Sequence, residues 1–213
     1  MHTQRAVRFG SEDAQVPVGS HICLLYRTEE ERDRIAVPFV REGVRDGASC
    51  RYVVDDQTAE HLRRGLAAAG VNVENVEASG HLQILTAAET YLKKAPFDYR
   101  EMLAFWDVVV DHVRDAKLPY SRCAGETAFL QQKGPGLERF MEYEAHLNNY
   151  IPNVPLVVLC LYNLTKLSGD LVAGVLQTHP YAVMGGVLIR NPYYIPPEQF
   201  LAQHKPTNGV CSA

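Results

Sequence analysis

Several features that would assign a function directly are missing from the 213-residue sequence. Lys and Arg form no cluster dense enough to follow a phosphate backbone, and 21 basic against 25 acidic residues leave a formal charge of −4. Direct nucleic-acid binding is therefore disfavoured. The longest apolar runs, such as residues 154–162, are too short to span a bilayer, and no signal peptide is recognisable. We therefore expect a cytoplasmic protein with no membrane partner.

Paired cysteines are also missing. The five cysteines form no CxxC pair and are odd in number, which argues against a disulfide framework and against a structural zinc site. Four of them, at positions 23, 50, 123 and 160, fall in predicted strands. We expect these four to pack as small core hydrophobes.

Catalytic signatures are missing as well. The first strand and helix meet at Tyr-Arg-Thr-Glu-Glu-Glu, residues 26–31, with neither GxxxxGK[ST] nor GxGxxG, and the three carboxylates would repel a triphosphate. No GxSxG motif or family-type cysteine signature supplies a nucleophile. We therefore predict a protein without enzymatic activity and identify no cofactor. The alternative that stays open is an enzyme, either a degenerate nucleotide-binding protein or a metal-dependent one.

The pattern that is present alternates short apolar runs with helical segments. It predicts strands at residues 21–26, 51–55, 81–85, 120–125, 155–162 and 182–189, and helices at 29–46, 58–69, 98–116, 137–151 and 169–177. Continuous apolar strands between helices indicate a three-layer α-β-α fold with a mostly parallel central sheet. We predict one domain over residues 19–201, after an irregular arm at 1–18 and before a tail at 202–213. The prolines after residue 191 predict an extended segment.

Polar residues interrupt the apolar pattern in and after the fourth strand. Glu144 and Asn148 share the apolar face of the helix at 137–151, while Arg122 and Glu126 lie in and at the end of the preceding strand. An unpaired buried charge is costly, so we expect Arg122 to serve as counter-charge to the two carboxylates. Two readings stay open: these residues form a structural ion-pair network, or they line a ligand cavity.

The cavity reading adds apolar and aromatic walls to these polar groups. Its walls are Tyr26, Phe105, Trp106 and Tyr162, and such a mixture of apolar lining and few polar groups is typical of small-molecule sites. Trp106 is equally compatible with a core position. His179, before Pro180, is a further predicted ligand contact, with a helix-capping turn as its alternative.

The histidines allow one more alternative. His21, His146 and His179 would form a metal site together with Glu144 if the fold brought them together, although HExxH is absent. Otherwise they are solvated or capping histidines. The sequence thus contains no metal motif but does leave this arrangement open.

The order and spacing of several short segments resemble a known family. They are residues 21–26, 39–44, 125–126, 143–148, 160–162, 178–180 and 191–194. Together they resemble the MEDS domain, the methanogen and methylotroph sensory domain that is also found in a dichloromethane-responsive repressor. The resemblance extends over about residues 18–201, and thus over nearly the whole predicted domain.

The resemblance implies a RecA/KaiC-like fold that lacks the phosphate loop and senses small organic molecules, often derived from hydrocarbons. It also implies signal transduction or transcriptional regulation, because family members often carry a DNA-binding module or a histidine kinase domain. The expected partners are therefore a small organic ligand, a protein such as a kinase or regulator, and a second copy in a homodimer. A scaffold whose tail after residue 190 docks a partner is a further alternative.

Overall fold

Strands and helices alternate along the part of the chain that the computed structural model describes, residues 5–9, 11–132 and 134–204. Its strands are β1 (Ala6–Phe9), β2 (Ser11–Pro17), β3 (Ser20–Tyr26), β4 (Ser49–Val54), β5 (Leu82–Thr86), β6 (Ser121–Glu126), β7 (Leu156–Asn163), β8 (Tyr181–Met184) and β9 (Val187–Arg190). Its helices are α1 (Glu29–Arg45), α2 (Ala59–Ala68), α3 (Val73–Ala78), α4 (Tyr99–Asp115), α5 (Phe140–Tyr150), α6 (Gly169–Thr178) and α7 (Pro197–Gln203).

One large sheet forms the middle layer. Its strand order, within the described residues, is β5-β4-β6-β7-β3-β8-β9. Neighbouring strands are parallel except β9, which is antiparallel to β8. Every residue of β3, β4 and β6 is buried, as expected for parallel strands covered on both faces.

Helices cover both faces of this sheet, and each face has its own core. One core packs α1, α2 and the β1–β2 hairpin against one face, and the other packs α4, α5 and α6 against the opposite face. Because side chains alternate along a strand, even-numbered residues of β6 face α1, whereas even-numbered residues of β7 face α5. The predicted three-layer α/β architecture is confirmed.

Local sequence explains where the helices begin. Thr28, Thr58 and Ser168 each accept a hydrogen bond from a backbone N–H three residues further on, which caps α1, α2 and α6. Asp98 caps α4 in a similar way. The predicted starts of these helices therefore agree with the structure to within one residue.

The described part of the N-terminal arm is not irregular, so that prediction is wrong for these residues. Residues 6–9 and 11–17 form the antiparallel pair β1–β2, in which Val7, Phe9 and Val16 are buried. Phe9 packs edge-on against Phe39 of α1, with ring centroids 5.7 Å apart. Alternating single apolar residues in a polar segment are the pattern of a half-buried strand, which explains this difference.

Two predictions near the C-terminus also differ from the structure. The single strand at residues 182–189 is the hairpin β8–β9, whose turn Gly185-Gly186 has φ values of 58° and 82°. The extended segment after residue 191 contains α7, which begins at Pro197. Proline is favoured at the first position of a helix, since that N–H has no helical partner. The short helix α3 was not predicted.

None of the helices in the described ranges is both long and apolar enough to cross a membrane.

Candidate functional site

Four metal-ligand-type side chains meet between the sheet and α5. His21 comes from β3, Glu144 from α5, Cys160 from β7, and His179 follows α6. One ligand atom from each residue lies within 4.8 Å of the others. All four residues are buried, with exposed fractions of 4% or less. We call this group the buried cluster.

The carboxylate of Glu144 is at the centre of the buried cluster. Its Oε2 atom lies 3.0 Å from His21 Nε2 and 3.4 Å from His179 Nε2. Cys160 Sγ lies 3.4 Å from His21 Nε2 and 3.8 Å from Glu144 Oε2. The other carboxylate oxygen, Oε1, accepts a hydrogen bond of 2.9 Å from the Tyr162 hydroxyl. Oε2 is therefore the oxygen that faces both imidazoles.

Contacts on the outer side of each imidazole orient its ring. His179 Nδ1 lies 2.8 Å from the carbonyl oxygen of Val175, an acceptor, so this nitrogen carries the proton. His21 Nδ1 lies 3.1 Å from Asn148 Oδ1. The Asn148 amide nitrogen donates to the carbonyl oxygens of Glu144 and Thr178, at 3.1 and 2.6 Å, which turns Oδ1 towards His21. His21 Nδ1 is thus also the protonated nitrogen.

The surroundings set the charge states of the buried cluster. Burial alone would raise the pKa of Glu144, but the nearby imidazoles of His179 and His21 favour the carboxylate and lower that pKa to about 2. Burial and the neighbouring His21 lower the pKa of His179 below its ordinary value, although Glu144 opposes this shift. Burial, followed by the charge of Glu144, raises the pKa of the Cys160 thiol. At neutral pH, a carboxylate therefore faces a neutral His179.

A small cleft reaches the buried cluster from the side of the sheet where β3 begins. It has a volume of about 250 Å³, and its lining includes His21, Asn148, Ser20, Arg190 and Tyr194. His21 belongs to the buried cluster, and Asn148 contacts it. Both residues therefore line a path from the cluster towards the protein surface.

A larger groove lies beside α5, between α6 and α7, and has a volume of about 1220 Å³. We call it the α5 groove. Half-buried apolar side chains contribute to its lining: Leu130, Leu137, Met141, Leu171 and Leu201. Its polar residues include Glu138, Arg139, Glu142, His146 and Asp170. Apolar surface with polar groups at a few positions is typical of small-molecule sites.

The structure does not bring Arg122 together with the two carboxylates, so its prediction as their counter-charge is wrong. Arg122 faces α1, where it donates to the Phe39 carbonyl oxygen at 3.3 Å and to the Tyr120 hydroxyl at 3.2 Å. Glu144 lies on the opposite face of the sheet, in the α5 layer. Arg122 and Glu126 share a face but are four residues apart along a strand, a separation of about 13 Å.

Glu126 instead anchors the chain that follows β4. Its Oε2 accepts hydrogen bonds from the backbone N–H groups of Asp55, Asp56 and Gln57, at 2.9, 2.6 and 3.0 Å. Its Oε1 accepts one from the Tyr52 hydroxyl at 2.9 Å. These contacts account for a fully buried carboxylate without any ligand, which corresponds to the structural reading of Glu126.

The remaining predicted residues occupy separate places. Tyr26 lies on the α1 face and donates to Asp56 Oδ2 at 2.9 Å, so it shares no cavity wall with Tyr162 on the other face. Trp106 is buried in α4 and donates to the Tyr143 hydroxyl at 2.8 Å. His146 lines the α5 groove, away from the buried cluster, and stacks on Tyr99.

The structure therefore brings together four of the eight predicted ligand-binding residues. Glu144, Asn148, Tyr162 and His179 come together, and His21, from the metal alternative, joins them. Cys160 was expected to be a core thiol and is the member that sequence reasoning missed. The sequence pattern could have indicated Cys160, because it is two residues before Tyr162 in one strand and their side chains therefore share a face of the sheet. The α5 groove was missed because α7 was not predicted.

Comparison with known proteins identifies both the family model that the chain matches and the fold. The model of MEDS, described as "MEthanogen/methylotroph, DcmR Sensory domain", matches residues 20–180. That match covers most of the chain and confirms the resemblance noted in the sequence. A search of curated proteins finds no match.

Solved structures show the same architecture. A KaiC-like protein from Pyrococcus horikoshii aligns with 84% of this chain and 79% of its own, at 17% identity and a TM-score of 0.60. The flagellar accessory protein FlaH from Methanocaldococcus jannaschii aligns with 81% and 76%, at 12% identity and a TM-score of 0.53. An uncharacterised P. horikoshii protein, solved with an unknown peptide, gives 78% and 77%, 12% identity and a TM-score of 0.62. At these identities the likeness shows the fold alone.

Proposed function

The chain belongs to the MEDS family of sensory domains, and from this membership we propose that it is a non-enzymatic cytoplasmic sensor whose α5 groove binds a small, mainly apolar organic molecule. The observation that carries the proposal is the groove itself. Its 1220 Å³ is somewhat above the range of about 300–1,000 Å³ common among ligand sites.

The rim of the groove is partly neutralised, while Glu138 and Asp170 disfavour an anionic occupant. Arg139 and Glu142 neutralise each other through two contacts, Nε to Oε2 at 2.7 Å and Nη2 to Oε1 at 2.8 Å. His146 is held against Tyr99, with ring centroids 4.5 Å apart. Because these groups already have partners, apolar contact with residues such as Met141 contributes most to binding.

The connection between β3 and α1 argues against nucleotide chemistry. Only Arg27 and Thr28 separate the two elements, and the first turn of α1 carries Glu29, Glu30 and Glu31. A phosphate loop needs several consecutive free backbone N–H groups and no competing carboxylates. This geometry supports a sensor over the nucleotide-binding alternative.

The sensing proposal also requires a surface that passes the signal on. The edge strand β9 is the strongest such surface, because Val187 and Ile189 are 61% and 45% exposed there, next to Met184 at 52%. An exposed apolar edge strand is a template for pairing with another strand. We propose that this edge pairs with the same edge of a second copy in a homodimer. The homodimer would then pass the signal to a kinase or transcriptional regulator.

Ligand-dependent thermal stabilisation tests the proposal. A panel of small apolar organic compounds is screened with the purified chain, and a bound compound raises Tm with its concentration. Met141→Trp fills the groove and should abolish the rise, whereas Val108→Trp adds the same bulk at a position that is 67% exposed on α4 and should leave it unchanged. A compound that stabilises both variants equally, or a panel without any rise, contradicts the proposal.

Sedimentation of the purified chain tests the dimer contact separately. Ile189→Lys should turn a dimer into a monomer. A wild-type chain that remains monomeric at high concentration excludes the β9 contact.

A further inference from the structure

The buried cluster contains more hydrogen-bond acceptors than donors. Both imidazoles carry their proton on Nδ1, so in its neutral form each ring directs the Nε2 lone pair at the cluster. Glu144 Oε2 lies 3.0 and 3.4 Å from these two nitrogens. Acceptors held this close repel each other unless a positive charge lies among them.

A single proton does not satisfy the arrangement. A proton on His21 Nε2 would pair this ring with Glu144, and the Cys160 thiol has one hydrogen of its own to donate. His179 Nε2 would still lack a hydrogen-bond partner among the described residues, although it is fully buried. Such a group is costly to leave unsatisfied. A cation that all four ligand atoms share removes this difficulty.

We propose that His21, Glu144, Cys160 and His179 bind one divalent transition-metal ion of the zinc type. The ligand atoms are the two Nε2 atoms, Glu144 Oε2 and Cys160 Sγ. This site goes beyond the sensing function proposed above, because it does not include the α5 groove.

Four of the six distances among the ligand atoms agree with a tetrahedral site, and the two from His179 Nε2 to His21 Nε2 and to Cys160 Sγ are at most 4.8 Å. Metal–nitrogen and metal–oxygen bonds of about 2.0–2.1 Å imply edges of about 3.3 Å, and a metal–sulfur bond of about 2.3 Å implies edges of about 3.6 Å. The measured nitrogen–oxygen edges are 3.0 and 3.4 Å, and the sulfur edges are 3.4 and 3.8 Å. Small shifts of the side chains would complete the coordination.

The contacts around the four ligands are those of metal centres. Metal-binding histidines usually donate their second N–H to a carbonyl or carboxylate, as His179 does to Val175 and His21 does to the Asn148 carbonyl oxygen. Tyr162 holds the other oxygen of Glu144, which leaves Oε2 for the ion. Among the four ligands, only His21 lines the small cleft, so an ion would enter from that side.

Charge and ligand type select the class of ion. A thiolate and a carboxylate balance the two positive charges, so the occupied centre is neutral and suits a fully buried position. Thiolate and imidazole ligands favour zinc and its neighbours such as Co²⁺, whereas Mg²⁺ and Ca²⁺ prefer oxygen ligands.

Cobalt titration of the chelator-treated, full-length chain tests the site. Co²⁺ alone should bind with a stoichiometry of one per chain and give the visible bands of tetrahedral cobalt together with a thiolate-to-cobalt charge-transfer band. Zn²⁺ should displace it and bleach both signals. This measurement on the wild-type chain needs no variant. Absence of stoichiometric binding, or a spectrum without the charge-transfer band, overturns the proposal.

Three variants assign the signal to the buried cluster. Cys160→Ser should remove the charge-transfer band, and Asn148→Ala should weaken Co²⁺ binding about 10–100-fold by freeing the His21 ring. Cys123→Ser is the matched control, because Cys123 is also buried in a strand on this face but lies outside the cluster. Loss of the band in Cys123→Ser, with Cys160→Ser unaffected, contradicts the assignment.

Discussion

Glu126 lies at the carboxyl end of the central strand β6, and its replacement tests how the segment that follows β4 is anchored to the sheet. In Glu126→Ala, the backbone N–H groups of residues 55–57 lose their acceptor, and the Tyr52 hydroxyl loses its partner. Arg32, whose guanidinium is fully buried, also loses a carboxylate 4.0 Å from its Nε atom. The change thus leaves several polar groups unsatisfied at once.

The expected cost follows from these contacts. A buried donor that loses its acceptor costs about 1–3 kcal/mol. Residues 55–57 are only half-buried, so water can replace part of each bond, and the lower end of this range applies to the three N–H groups. The three N–H groups contribute about 3 kcal/mol and the fully buried Tyr52 hydroxyl adds about 1–3 kcal/mol, so the expected loss in the free energy of unfolding is about 4–6 kcal/mol, a large share of the stability of an ordinary domain.

Urea unfolding of the purified variants measures this loss. Glu42→Ala is the control, since Glu42 is 8% exposed but pairs with Arg41 and Arg45, whose side chains are 35% and 64% exposed. Exposed pairs contribute about 0–1 kcal/mol, so this variant should lose little. Equal losses in the two variants would refute the anchoring role of Glu126.

Three further predictions concern packing and ligand class. Gly43→Ala should lower Tm, because the new Cβ would lie 2.6 Å from Cys50 Sγ. Gly169→Ala should raise Tm, because no atom lies within 4 Å of the new Cβ. Calorimetry that gives Gly43→Ala the higher Tm contradicts this packing. Tyr143→Phe should cost about 1 kcal/mol by removing the acceptor of the Trp106 hydrogen bond with little change in volume, and an unchanged urea midpoint would exclude that contribution. Calorimetric titration with ATP should give no heat of binding, and micromolar affinity would restore the nucleotide alternative.

The sequence predicts the fold well where local rules decide it. The predicted starts of α1, α2, α4 and α6 agree with the structure to within one residue, and the continuous apolar run at 21–26 predicts the buried parallel strand β3. The errors come from segments in which a local signal has two meanings. Pro197 was interpreted as preventing a helix but begins one, and Gly185-Gly186 was interpreted as part of a strand but forms a turn.

The site is only partly predictable, for a different reason. Helical periodicity places Glu144 and Asn148 on one apolar face without any tertiary information. Which groups face them depends on strand order, and His21 is 123 residues from Glu144 in the sequence. Arg122 is a second example, because it precedes Glu144 by one element and was therefore expected to pair with it. In the structure, the sheet lies between the two side chains.

Anomalous diffraction at the zinc absorption edge, from crystals grown with Zn²⁺, tests the metal site most directly. We predict one strong peak per chain, about 2.0–2.3 Å from His21 Nε2, Glu144 Oε2, Cys160 Sγ and His179 Nε2. Absence of a peak among these four atoms, with zinc found only at surface positions such as Glu142 and His146, would contradict the account.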